Sequence, residues 1–158
     1  MKAVLKGLYS MDVADLEAFV PDDPERFAIH IAAFFGVEGT QGKEMFDLGV
    51  CTPLWLEDMT QQEGGIMIGN HLLIVLRWDF QRIKRFLERY AAECKGETWR
   101  EIAESLAQLG KWEFENYKGL ISSSTLFRQG SGLDSAMSDQ SRSSRVSDTA
   151  EGQSEVAT

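Results

Sequence analysis

Two histidines, two cysteines and a large excess of acids are the residues of this chain with obvious chemical capacity. Their spacing argues against most of that chemistry. His30 and His71 lie far apart, and neither stands at ligand spacing from a cysteine or an acid. His30 falls among alanines on an alternating segment and reads as a partly buried histidine, not a catalytic base. Cys51 and Cys94 sit inside apolar periodic segments, so they read as small reduced core residues rather than a disulfide or a metal site. Ahead of Ser122 the serines are Ser10 and Ser105, and neither lies in a nucleophile elbow. Gly36, Gly39 and Gly42 miss both phosphate-loop spacings and precede a strand, not a helix. Acid pairs such as Glu57-Asp58 and Glu113 with Glu115 read as solvated surface, because a glycosidase cleft needs more chain than this. No catalytic residue, no metal site and no cofactor is therefore expected.

What remains is surface chemistry. The net charge is -9, unevenly spread. Up to Glu63 there are twelve acids against four cations; from His71 to Arg100 there are seven cations against four acids. An acidic half disfavours nucleic acid and attracts a cationic partner at long range. Its candidate contact residues are Asp22 and Asp23 in a proline-bracketed loop, Glu38 and Glu44 flanking a hairpin loop, and Glu57 and Asp58 on a short helix. The competing face is the stripe Arg82, Arg85, Arg89 at helical spacing. That stripe is interrupted by Glu88 and Glu93 and accompanied by no nucleic-acid motif, so it reads as a solvated helix face. Four tryptophans, Trp55, Trp78, Trp99 and Trp112, are mostly core, each needing a partner for its indole N–H. One at an edge could anchor an interface.

The elements that must position these groups follow from periodicity. Lys2 to Tyr9 alternates and predicts a strand, with Val4 and Leu8 on one face and Ala3, Leu5 and Tyr9 on the other. Asp12 is expected to cap a short turn carrying Val13, Leu16 and Phe19. Arg26 to Phe35 and Lys43 to Cys51 predict an antiparallel pair, burying Phe27, Ile29, Ile31, Ala33 and Phe35 against Phe46, Leu48 and Val50. Thr52-Pro53 starts a helix reaching about Thr60, anchored by Trp55 or Leu56. His71 to Leu76 is apolar on both alternating faces and predicts an interior strand covered on both sides. Asp79 caps a helix with Phe80, Ile83, Leu87, Tyr90 and Cys94 inward, widened by Phe86 and Ala91 and stopped at Lys95-Gly96. Thr98 and Glu101 form a capping box for a second helix with Trp99, Ile102, Ala103, Leu106 and Leu109 inward. Lys111 to Tyr117, with Trp112 and Phe114 alternating with acids, predicts an extended closing segment. The sum is an α+β fold: about four strands, a largely antiparallel sheet, and two main C-terminal helices packed on it.

One domain is expected over residues 1–120. Residues 121–158 form a serine-rich tail with few large apolar side chains, expected to be disordered. There is neither a signal-peptide core near Met1 nor an apolar run able to span a bilayer, so no membrane partner and a cytoplasmic location are expected.

Several stretches resemble the Immunity protein 8 family of bacterial polymorphic toxin systems. They are "LKGLYSMDVADL" from Leu5, "FDLGVCTPLWL" from Phe46, the segment from His71 to Tyr90, "TWREIAESL" from Thr98 and "GKWEFENY" from Gly110. The resemblance covers about Met1 to Tyr117 and departs at the serine tail. It implies an α+β fold with a family tryptophan near the C-terminal end, matched by Trp112 and next by Trp99. It also implies a non-enzymatic protein that binds and neutralises a cognate toxin domain by occlusion. A non-enzymatic adaptor or regulatory module using the same surface is the alternative.

Overall fold

The computed structural model describes residues 1–116; the expected tail from residue 121 lies outside them. The element order is β1 (Ala3–Tyr9), β2 (Ala28–Val37), β3 (Glu44–Cys51), α1 (Pro53–Gln62), β4 (Leu72–Ile74), α2 (Phe80–Glu93), α3 (Trp99–Leu106) and β5 (Lys111–Trp112). β2 and β3 pair antiparallel as the alternation predicts, from Ala28 opposite Cys51 to Phe35 opposite Glu44. Ile29, Ile31, Ala33 and Phe35 on one strand and Phe46, Leu48 and Val50 on the other are all buried. Burial of this many large apolar groups is the main favourable term for the domain. Against that face α2 lays Ile83, Leu87 and Ala91, and α3 lays Ile102, Ala103 and Leu106.

The α+β architecture is the expected one, with a sheet that is mixed rather than largely antiparallel. β4 runs parallel to β3, from Gly49 opposite Leu72 to Cys51 opposite Ile74. The chain leaves β3, crosses back through α1 and the loop after it, and re-enters the sheet running in the same direction as β3, as a crossover connection allows. β5 pairs antiparallel with β3 at Phe46 and Asp47, so β4 and β5 occupy successive parts of one β3 edge. β4 is therefore an edge strand of three residues, not the interior strand read from His71 to Leu76. Ile74 is 52% exposed and Leu76 80%. Apolar residues on both alternating faces signalled two-sided burial; a groove beside α2 and open solvent share them instead.

Other local readings shift for identifiable reasons. In β1 a bulge separates Leu5 opposite Phe35 from Gly7 opposite Phe34. The extra residue reverses the alternation, so Leu8 joins Ala3 and Leu5 on the core side and Val4 does not. Asp15, not Asp12, caps the following turn, accepting from the Glu17 and Ala18 amides at 2.9 and 3.2 Å. Asp12 instead accepts from the His30 amide at 2.7 Å. His30 is exposed rather than partly buried. α1 runs past Thr60 to Gln62 and buries no residue fully; Trp55 and Leu56 are half-buried. The Thr52 hydroxyl accepts from the Phe27 amide at 3.3 Å and ties the helix start to β2.

Asp79 caps α2 as expected, accepting from the Arg82 amide at 2.9 Å. Phe86 is exposed at 36% and does not widen the buried band. Gly96 does not close α2; Cys94 is already extended there, and Lys95 bridges to Lys2. Glycine is required at position 96 because a Cβ would lie 2.8 Å from the Glu101 Cβ, where α3 begins. Of the capping box, Thr98 accepts from the Glu101 amide at 3.3 Å, but Glu101 reaches back to the Glu97 amide at 2.8 Å. His71 enters β4 with φ of 55°, in the left-handed region.

Candidate functional site

The acidic candidates fall at two ends of the β2–β3 hairpin. At one end Arg26 joins two groups. Its amide donates to the Asp23 carbonyl at 3.2 Å, and its Nε donates to Asp58 Oδ2 at 3.1 Å. Asp22, Asp23 and Glu57 are exposed around this junction, with Glu25 beside them. One arginine among these carboxylates leaves a net negative cluster. Glu38 and Glu44 lie at the other end. Ten residues of β2 separate the ends, roughly 30 Å at strand rise. Glu38 pairs there with Lys2 at 3.1 Å. Glu44 is half-buried and accepts from the Trp112 indole at 2.8 Å.

The two candidate family tryptophans meet around Glu44. Trp112 stacks on Phe46, with ring centroids 6.2 Å apart and planes 6° from parallel, and meets Phe114 edge-on at 6.2 Å. Trp99 and Glu44 line one shallow cavity of about 210 Å³, with Thr40 and Lys43 at its rim. Both tryptophans are half-buried. Trp112 thus pins β5 to the sheet and is positioned by packing.

A second surface was visible in the sequence only as an arginine stripe. Between β4 and α2 runs a groove of about 600 Å³, lined by Leu73, Val75, Trp78, Ile83 and Phe86 with Arg82 at its rim. Arg85 and Arg89 continue that rim along Phe86. The Arg89 guanidinium lies 5.8 Å from the Phe86 ring centroid. None of Arg77, Arg82, Arg85 and Arg89 has a carboxylate partner among the described residues. Trp78 packs edge-on against Phe19 and Phe27, at 5.1 and 6.1 Å. Its indole N–H is buried without a partner among the described residues, contrary to the expectation for tryptophan. The sequence signal for this groove was present but misread. The apolar pattern reads Ile74 and Leu76 as core and Phe86 as part of the buried band, whereas all three are exposed.

The cysteines carry no site. Cys51 and Cys94 are free and buried, and burial pushes both thiols up, helped at Cys94 by the Glu93 charge. Among the described residues, no group of three or more His, Cys, Asp or Glu side chains is arranged to hold a metal ion. Among them, too, no helix is long and apolar enough to cross a membrane.

Two charged surfaces on a mixed sheet, with a tryptophan-pinned closing strand, are features suited to binding. Comparison with known proteins agrees with that character. No curated protein and no solved structure matches the chain. The family model described as Immunity protein 8 matches residues 3–117, which includes every element of the fold. The chain belongs to the Immunity protein 8 family.

Proposed function

We propose that this protein is a cytoplasmic immunity protein that binds a cognate toxin domain of a polymorphic toxin system and covers its active-site mouth. The observation that carries the reading is the family match across residues 3–117. The surface supports it. Asp22, Asp23, Glu57 and Asp58 cluster at one end of the sheet, where their field would draw in the basic rim of a nuclease-like or otherwise cationic active site. Val20, 77% exposed, precedes the Asp22–Asp23 loop and supplies apolar contact beside the charge. Glu38 at the far end lies outside this cluster, and Glu44 is engaged by Trp112. In this reading the protein performs no catalysis and needs no cofactor. Neutralisation is stoichiometric occlusion.

The test is co-purification of the tagged protein with the toxin domain encoded beside it, followed by titration of toxin activity. A one-to-one complex and loss of activity at equivalence are expected. Toxin silenced at a small fraction of equivalence, with no complex formed, would mean that the protein modifies its target and would overturn the occlusion reading.

A further inference from the structure

The groove between β4 and α2 has three properties together. Among the described residues its outer edge is unpaired, its floor is apolar, and its rim carries more arginine than acid, with Arg82, Arg85 and Arg89 against Asp79. His71 O accepts from the Gly49 amide at 2.9 Å, and the Val75 amide donates to Cys51 O at 2.8 Å. Residues of that parity face β3, so Leu72 and Ile74 turn their N–H and C=O groups outward. No described strand pairs with that outer edge. An open edge of this kind is a template for another strand unless it is blocked by charge, proline or a covering element. Here the edge is apolar, with Ile74 52% exposed.

A strand added alongside β4 would run under the α2 face that carries Arg82, Arg85 and Phe86. Its side chains on that side would enter the floor formed by Leu73, Ile83 and Phe86. The arginines above have no internal carboxylate partner among the described residues, although the chain as a whole is strongly acidic. The Arg85 Nε donates to the Gln81 carbonyl at 3.2 Å, which leaves its two Nη groups to a carboxylate. Guanidiniums without a carboxylate partner beside an apolar slot favour carboxylates over cations, by charge and by bidentate geometry.

We propose that this groove docks an extended acidic polypeptide segment bearing large apolar side chains, which adds as a strand to the free edge of β4 and pairs its carboxylates with Arg82, Arg85 and Arg89. Main-chain bonds to Leu72 and Ile74 would supply affinity, and the apolar floor and arginine rim would supply selectivity, as in other strand-addition modes. The proposal rests on the groove's own chemistry and not on the toxin reading. Its test uses no toxin, so each can fail alone.

The probe is a fluorescein-labelled synthetic peptide of about ten residues, the length of a long strand, with Leu and Glu taking turns at every second position so that both lie on one face, and Thr between them. Its control carries Lys in place of Glu. Fluorescence anisotropy of the full chain should show binding of the acidic peptide and at least tenfold weaker binding of the control. Arg82→Glu with Arg85→Glu should weaken the acidic peptide at least tenfold and improve the control. Ile74→Pro removes an outward N–H while leaving the β3–β4 bonds in place. It should weaken the acidic peptide by a similar factor, whereas Ile74→Val should bind like the parent. Circular dichroism melts of each variant separate lost binding from lost fold, and Arg85→Glu alone, on an exposed helix face, is the fallback if the double variant unfolds.

Equal binding of both peptides, or undiminished binding by the arginine variant, would overturn the proposal. Undiminished binding by Ile74→Pro would overturn strand addition. A single-stranded oligonucleotide or an anionic phosphatidylserine vesicle binding at this face in place of the acidic peptide would also overturn it. So would sedimentation showing that a second copy of the chain fills the groove.

Discussion

Trp112 shows how one side chain can close a small domain. β5 is two residues long and makes few ladder bonds, so the indole's stack on Phe46 and its bond to Glu44 supply much of what holds it. Trp112→Ala should destabilise the protein by about 2–4 kcal/mol, toward the lower part of the core range because the ring is half-buried. Trp112→Phe keeps the stack, loses one hydrogen bond, and should cost about 1 kcal/mol. Urea titrations followed by far-UV circular dichroism measure both. An unchanged midpoint for the alanine variant would mean that β5 is held by something else. The cysteines give a second check at this scale. Burial raises both thiols, so less thiolate is present at neutral pH than in a free cysteine. Ellman's reagent should react slowly with the native protein and rapidly with both thiols in guanidinium. Fast native reaction of either would contradict its burial.

At the scale of elements, the long hairpin depends on close backbone approach. A Cβ placed on Gly36 would collide with the Gly42 carbonyl oxygen, a backbone atom with little freedom to move, whereas a Cβ on Gly42 meets nothing. Gly36→Ala should therefore lower stability by about 1–3 kcal/mol, as overpacking does, and Gly42→Ala by much less. Equal melting temperatures for the two variants would show that the loop adapts freely. Position 71 tests the entry to β4 in the same way. His71 holds φ at 55°, which a β-branched residue tolerates poorly. His71→Val should cost about 1–2 kcal/mol, and thermal melts compared with His71→Asn, a residue better suited to that region, isolate the backbone contribution.

For the whole molecule, the relevant fact is that opposite charges lie near the same end. The acidic cluster is tied to β2 through Arg26, and the next residue, Phe27, touches Trp78 of the arginine-rimmed groove. Reversal of Asp22, Asp23, Glu57 and Asp58 to Lys should slow association with a cationic toxin strongly at low salt and little at high salt. The screening length is about 8 Å at physiological ionic strength, so the field is short-ranged in the cell. The fold should persist, since exposed charges and the Arg26–Asp58 pair contribute little to stability. Stopped-flow association rates across a salt series check this. A rate indifferent to salt and to the reversal, but abolished by Arg85→Glu, would place the contact on the groove side.

The sequence by itself determined the parts governed by neighbours along the chain. Alternation in Phe27 to Phe35 and Phe46 to Val50 specified the central pair and its buried face, and the three- and four-residue spacing of Ile83, Leu87 and Ala91 specified the inner side of α2. Asp79 and Thr98 announced their helix starts because a cap bonds within its own turn. The stretches shared with the family also pointed correctly to the Immunity protein 8 family. Tertiary structure alone decided what depends on distant partners. A single inserted residue reversed the faces of β1, which no count of alternating residues reveals without knowing what it pairs with. His71 to Leu76 looked interior because apolar side chains signal burial or an open docking surface alike; only the position of β4 at the sheet edge separates the two. The acidic candidates split into two ends for the same reason. Arg26 brings Asp58 to the Asp23 loop from thirty-five positions along the chain, whereas Glu44 is claimed by an indole that the chain folds back to meet.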